Sequence, residues 1–254
     1  LVDIDEQSLE RLGQWPWPRS QLARLVDAIN DAGAAAIVID VLLSEPDRLS
    51  PSAVAEMIPD WPEYQSAREA ILGRKGHDEQ FAQSLARANS VLCFALHDEV
   101  VGEMPKPKAG LVQAGDPPDP FLLSFAGGIS ALPILTQAVE GYGACSLIPD
   151  PDGVVRRAPM LVSVAGIVLP MLDAEALRVA QAASTYIVKS TNASGEQSFG
   201  VHGGVVGVKI GGLSVPTDHQ GRIWIRYSDQ TAKSIGASDL LAGKFDPEAI
   251  AGKI

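Results

Sequence analysis

Three aspartates stand where chemistry could sit. Asp3 and Asp5 fall in the opening run LVDID, and Asp40 follows the apolar run AAAIVI. Both runs read as strands, and period-two alternation puts Asp3 and Asp5 on one face. In open α/β sheets ligands bind in the crevice outside the carboxyl ends of the strands. Carboxylates gathered there could hold Mg²⁺ or Ca²⁺ through oxygen ligands. Aspartate is also a favoured helix cap and turn former, so capping, or pairing with Arg19 or another arginine, is the plainer role for all three.

Trp15, Trp17 and Arg19 come next, in WPWPR. Two tryptophans punctuated by prolines make a stiff amphipathic loop that could wall a pocket, because tryptophan joins apolar area to one donor. Plugging the sheet edge is the plainer alternative. Asp5, Trp15, Trp17, Arg19 and Asp40 together form the expected ligand-binding set at the carboxyl edge of the sheet. No catalytic residue and no metal ligand is assigned. His77, His97, His202 and His219 lack ligand-like spacing, and no GxSxG elbow or cysteine-centred signature occurs. Cys93 and Cys145, two in all, exclude a disulfide-dense scaffold or a multi-cysteine zinc site. They read as buried thiols acting as small hydrophobes, and a disulfide between them stays open. Arg156 and Arg157, after the PDPDG turn, should face opposite sides of a strand. One could clamp an anion; ion pairing within the turn is commoner.

The elements that must position these residues follow from periodicity. A helix from Ser20 carries Leu22, Leu25, Val26 and Ile29 on one face and stops at Gly33. The run AAAIVIDVLL, apolar on both faces, suits a parallel sheet covered by helices, so the first 43 residues read strand, helix, strand. Residues 44–77 form a long, partly helical excursion. Asp78 reads as the N-cap of a helix with Phe81, Ala82 and Leu85 inward, and SVLCFAL is a third core strand. Residues 98–120, rich in proline and glycine, read as a loop. Beyond Phe121, YGACSLI, VVRRAPMLVSVAG and IVLP suggest successive antiparallel strands. Pro170 suits the first turn of a helix, and VVGVKI and LSVP flank the hairpin glycines Gly211 and Gly212. The expected fold class is α/β: a mixed sheet with a parallel core from strand-helix-strand units, helices on both faces, and antiparallel hairpins in the second half. One domain spans 1–254, with its core in 1–97, a loop at 98–120, and strands plus a helix in 121–254.

Composition bounds function. Against 31 acidic residues stand 20 basic ones, a formal charge of −11, and no basic patch is present for nucleic acid. With 46% hydrophobic residues the chain can bury a core, which excludes wholesale disorder. Apolar runs of about ten residues are short of the roughly 18 needed to cross a bilayer, and no secretory signal opens the chain. A start at Leu1, inside a strand, reads as a piece of something larger.

Longer blocks carry a resemblance. VDIDEQSLERLGQWPWPRSQLARLVDAINDAGAAAIVIDVLLSEPD, HDEQFAQSLARANSVLCFAL, YGACSLIPDPDGVVRRAPML, PTDHQGRIWIRY and ASDLLAGKFDPEAIAGKI resemble, in order, the type-two CHASE domain, a cyclase- and histidine-kinase-associated sensory extracellular module. RYSDQ departs from it, since such domains usually carry a glycine after a similar pair. The resemblance implies a non-catalytic input domain on the extracellular or periplasmic side of the cell membrane. It would sit between membrane helices of a receptor with a histidine kinase or nucleotide cyclase output. Apart from the resemblance, the expected partners are an unknown small-molecule or protein signal and a second copy in a homodimer, and no cofactor is assigned. The alternative function is a metal-dependent, phosphatase-like hydrolase using Asp3, Asp5 and Asp40. A DxD pair after a first strand is similar to aspartate-nucleophile phosphatases, although Asp5 is followed by Glu6, Gln7 and Ser8, one position out from that family's Thr or Val.

Overall fold

The computed structural model describes residues 1–102, 104, 106–194, 199, 203–228 and 233–254; His202 lies outside them. The first half runs β1 (Val2–Asp3), α1 (Glu6–Leu12), α2 (Arg19–Asp31), β2 (Ile37–Ile39), α3 (Pro51–Met57), α4 (Gln65–Leu72), α5 (His77–Arg87), β3 (Ser90–His97) and β4 (Gly110–Ala114). The second continues with β5 (Ser124–Phe125), β6 (Gly127–Ile129), α6 (Pro133–Ala138), β7 (Gly141–Ala144), β8 (Arg157–Pro159), β9 (Leu161–Val164), β10 (Ile167–Pro170) and α7 (Leu172–Ala180). It closes with β11 (Thr185–Ser190), β12 (Val205–Ile210), β13 (Leu213–Pro216), β14 (Arg222–Trp224), β15 (Ile235–Gly236) and α8 (Ala237–Leu241). The mixed α/β class expected from the sequence is the observed one.

The most apolar strand, β3, is the centre. Its residues Val91 and Leu92 pair in parallel with β2 on one edge and with β7 on the other. Its last residues, Ala95–His97, pair antiparallel with β6. Alternation along β3 sends Leu92 and Phe94 to the core shared with Leu22, Leu25 and Val26 of α2 and Phe81 and Leu85 of α5. Val91 faces Val179 of α7 on the other side. Helices therefore cover both faces, as a parallel sheet requires.

A second sheet in the order β13-β12-β11-β4 has its own core of Tyr186, Val188, Val208 and Ile210. The β12–β13 hairpin turns at Gly211, whose φ of +55° is left-handed and suits glycine. A buried polar knot ties the sheets together. Glu175 of α7 accepts hydrogen bonds from the Tyr142 backbone N–H (3.1 Å), from Arg178 (2.8 and 2.9 Å) and from the Tyr186 hydroxyl.

Several expectations are corrected. β1 pairs with β15, not β2, so the first strand is not a neighbour of the second. β7 is parallel to β3, not antiparallel, and the long connection over 98–140 between them gives the chain the length that a parallel pair needs. The expected loop 98–120 contains β4, paired in parallel with β11; its alternating GLVQA finds a partner distant in sequence. Gly76, not Asp78, caps α5, and Asp78 instead accepts from the Asp47 N–H at 3.0 Å. Pro170 ends β10 rather than opening α7.

Candidate functional site

The carboxyl ends of the parallel strands open into a cleft of about 440 Å³. Asp40, one residue past β2, lies on its wall with Cys145 and Ser146 after β7, Arg157 of β8, and Met171 and Asp173 at the start of α7. The wall is otherwise apolar, with Val38, Ala144, Leu147, Ile148 and Ile225 among its members. α7 closes on the floor because β7 is glycine there. A Cβ on Gly143 would stand 2.7 Å from Leu172 Cα, and one on Gly141 2.9 Å from Val179.

Strand register assembles the polar end of this cleft. Ile39 pairs with Leu92, so Asp40 falls beside Cys93, while Cys93 pairs with Gly143, two residues before Cys145. Period-two alternation puts Asp40, Cys93 and Cys145 on the α7 side. Their ligand atoms, one per residue, all lie within 4.8 Å of one another. Cys93 is buried, Cys145 half-buried and Asp40 exposed. Both thiols are free, and Cys145 Sγ donates to the Phe94 carbonyl at 3.3 Å. A hydrogen bond from the Cys93 thiol holds Cys145 below its ordinary pKa; that bond and burial push Cys93 up. Asp173 is solvent-exposed by area yet seated in the concavity, and its desolvation there raises its pKa.

Of the five residues expected to bind ligand, Asp40 lies on this cleft and the others lie elsewhere. Asp5 caps α1, accepting from the Ser8 N–H at 2.8 Å, and its carboxylate packs where a Cβ on Gly236 would be. Trp17 is buried, donates from Nε1 to the Gly13 carbonyl at 2.6 Å, and meets the half-exposed Trp15 edge-on at 6.0 Å. The Arg19 backbone N–H donates to Asp47 Oδ2 at 2.8 Å, and its side chain approaches Asp78 at 3.7 Å. Trp17 and Arg19 share a separate, smaller hollow with Asp47. Asp3 stays on β1, and among the described residues Asp3, Asp5 and Asp40 form no common metal-holding group. Arg157 is not a free clamp: it pairs with Asp150 and with Asp218 (3.3 Å) and lies over Trp224 at 5.7 Å. Arg156 pairs with Asp152 at 2.8 Å.

Cys93, Cys145 and Asp173 are functional candidates that sequence reasoning alone does not single out. The signal is present in SVLCFAL and YGACSLI, two strand-like runs with one cysteine each. Only the parallel register of β3 and β7 turns it into a pair.

A family model described as the CHASE2 domain matches residues 1–254. The chain belongs to that family, whose members are extracellular, non-catalytic sensory domains typically found in receptors. Neither the curated proteins nor the solved structures yield a match. Among the described residues no helix is long and apolar enough to cross a membrane.

Proposed function

We propose that residues 1–254 form one signal-input domain of a transmembrane receptor, on the extracellular or periplasmic side of the cell membrane. A small-molecule or protein signal held at the carboxyl-end cleft shifts a two-state arrangement, which flanking membrane helices relay to a histidine kinase or nucleotide cyclase. A ligand can do this only by binding the two states with different affinity.

The observation that carries the reading, beside family membership, is that both ends of the chain lie together. Leu1 and Val2 wall one hollow with Lys253 and Ile254. β1 pairs with β15, and the Lys253 carbonyl accepts from the Ala35 N–H at 2.8 Å. Connections leaving from adjacent points can meet one membrane face, and a small shift between them becomes a change in helix spacing. A homodimer would double that lever. The charge of −11 speaks against nucleic acid as the signal.

A reporter inserted at the exposed Asp152–Gly153 turn of the full-length protein tests the placement. A phosphatase that folds only outside the cytoplasm should be active there, and a fluorescent protein that matures only inside should be dark. The opposite pattern overturns the proposal. Asp40→Asn and Asp173→Asn in the full-length receptor should then alter the dependence of output on signal.

A further inference from the structure

We propose that Asp40, Cys93 and Cys145 bind a zinc-class divalent cation, with the fourth coordination position facing the cleft. The donor set selects the metal. Two thiolates and one carboxylate suit borderline-soft Zn²⁺. Mg²⁺ and Ca²⁺ need oxygen ligands, and this group offers oxygen from Asp40 alone.

Geometry agrees. Tetrahedral zinc at about 2.3 Å from each sulfur sets the sulfurs about 3.8 Å apart, and the three ligand atoms already lie within 4.8 Å of one another. Closing that gap takes side-chain adjustment rather than strand movement, since β2, β3 and β7 are hydrogen-bonded neighbours. Binding displaces both thiol protons to solvent, so Zn²⁺ and two thiols give a zinc dithiolate and two protons, with no oxidant or reductant. Three protein ligands leave one position for water or an exogenous donor, the arrangement of an open rather than a closed zinc site. Asp40 and Cys145 both line the cleft of about 440 Å³, from which a signal molecule could complete the sphere.

The inference does not depend on the sensory reading, because metal binding by this chain would stand even if no signal were relayed. Its test is a cobalt titration of the full chain, reduced and anaerobic, followed by displacement with zinc. One equivalent of Co²⁺ should bring a thiolate-to-cobalt charge-transfer band in the near ultraviolet and tetrahedral d–d bands. Cys145→Ser should cut the band to about half or less, with one thiolate left, and weaken zinc binding by more than the roughly 10–100-fold that altered supporting groups cost. Asp40→Asn should keep the charge-transfer band but shift the d–d bands. Cys93 is buried and its replacement could unfold the chain, so the test rests on the wild-type spectrum and on Cys145→Ser. No charge-transfer band, or affinity unchanged in Cys145→Ser, overturns the inference. So does a chain secreted in the presence of zinc whose two sulfurs are joined in a disulfide.

Discussion

Glu175 and Arg178 keep only 1% and 8% of their side-chain surface exposed, so their charges survive burial only because every partner is present. Arg178 also donates to the Glu140 carbonyl at 2.7 Å and the Ala183 carbonyl at 2.8 Å. Removing one partner leaves the other buried and uncompensated, and Glu175→Ala should cost about 3–5 kcal/mol in urea-unfolding free energy. Arg178→Met should cost a similar amount, and the double variant far less than the sum, because the two side chains act as one unit. Asp218 gives a second residue-scale prediction. Burial works against its charge, but the backbone N–H groups of Arg222 (3.0 Å) and Gln220 (2.9 Å), with the Arg222 guanidinium, hold its pKa below the ordinary 3.8. A depressed carboxylate stabilises the fold above its unfolded pKa and loses that contribution as pH falls through the folded value. Asp218→Asn should therefore melt below wild type at pH 7, and the gap should narrow below pH 3.8; a gap independent of pH would refute the assignment. Asp40 is legible in the sequence as an acid at a strand end. Its cysteine neighbours are not, because strand alternation fixes a face while only register fixes a neighbour.

At the scale of elements, the contact of α7 with β7 decides the shape of the cleft. Gly143 has no room for a methyl group: Leu172 Cα and the Met171 carbonyl would lie 2.7 and 2.8 Å away, both backbone. Gly143→Ala should push out the start of α7 and cost about 1–3 kcal/mol by overpacking. Gly73 closes α4 in right-handed conformation, with its nearest neighbour at 3.4 Å. There alanine fits, and it should stabilise by about 0.4–1 kcal/mol by restricting the unfolded chain. Thermal melts of the two variants should move in opposite directions. The same scale shows what periodicity can and cannot convey. α2 is legible because Leu22, Leu25 and Val26 share one helical face and are all buried. β4 is not, because proline and glycine dominate its surroundings and its partner β11 lies some seventy residues onward in the same numbering. The antiparallel reading of β7 fails for a related reason. A strand's own sequence does not reveal the direction of its neighbour, and the partner of β7, β3, lies far earlier in the chain.

For the whole molecule, the two ends lie close together, and the proposed relay would act on that closeness. It arises from pairings at opposite extremes of the sequence: Val2 with Ile235, Asp3 with Gly236, and Gly252 N–H donating to the Gly33 carbonyl at 2.8 Å. Each is a backbone contact between segments that otherwise belong to different halves of the fold. α8 strengthens the junction, because Arg11 of α1 pairs with Asp239 at 2.7 Å and Ser8 accepts from the Ser238 N–H at 2.9 Å. Spin labels on Leu1→Cys and Ile254→Cys, with Cys145 replaced by serine and the buried Cys93 left in place, should therefore report one short distance. Arg11→Ala alone should barely broaden it, since an exposed ion pair contributes only about 0–1 kcal/mol. Ser8→Val should broaden it more, because it removes the acceptor of a buried backbone N–H, a loss of about 1–3 kcal/mol. If a signal acts through this junction, saturating it should change the distance distribution in wild type and change it less in Ser8→Val, where the two ends are already partly uncoupled. A distribution equally broad in all the variants would mean that the ends are not held together by these contacts, and the lever would have to lie elsewhere in the fold.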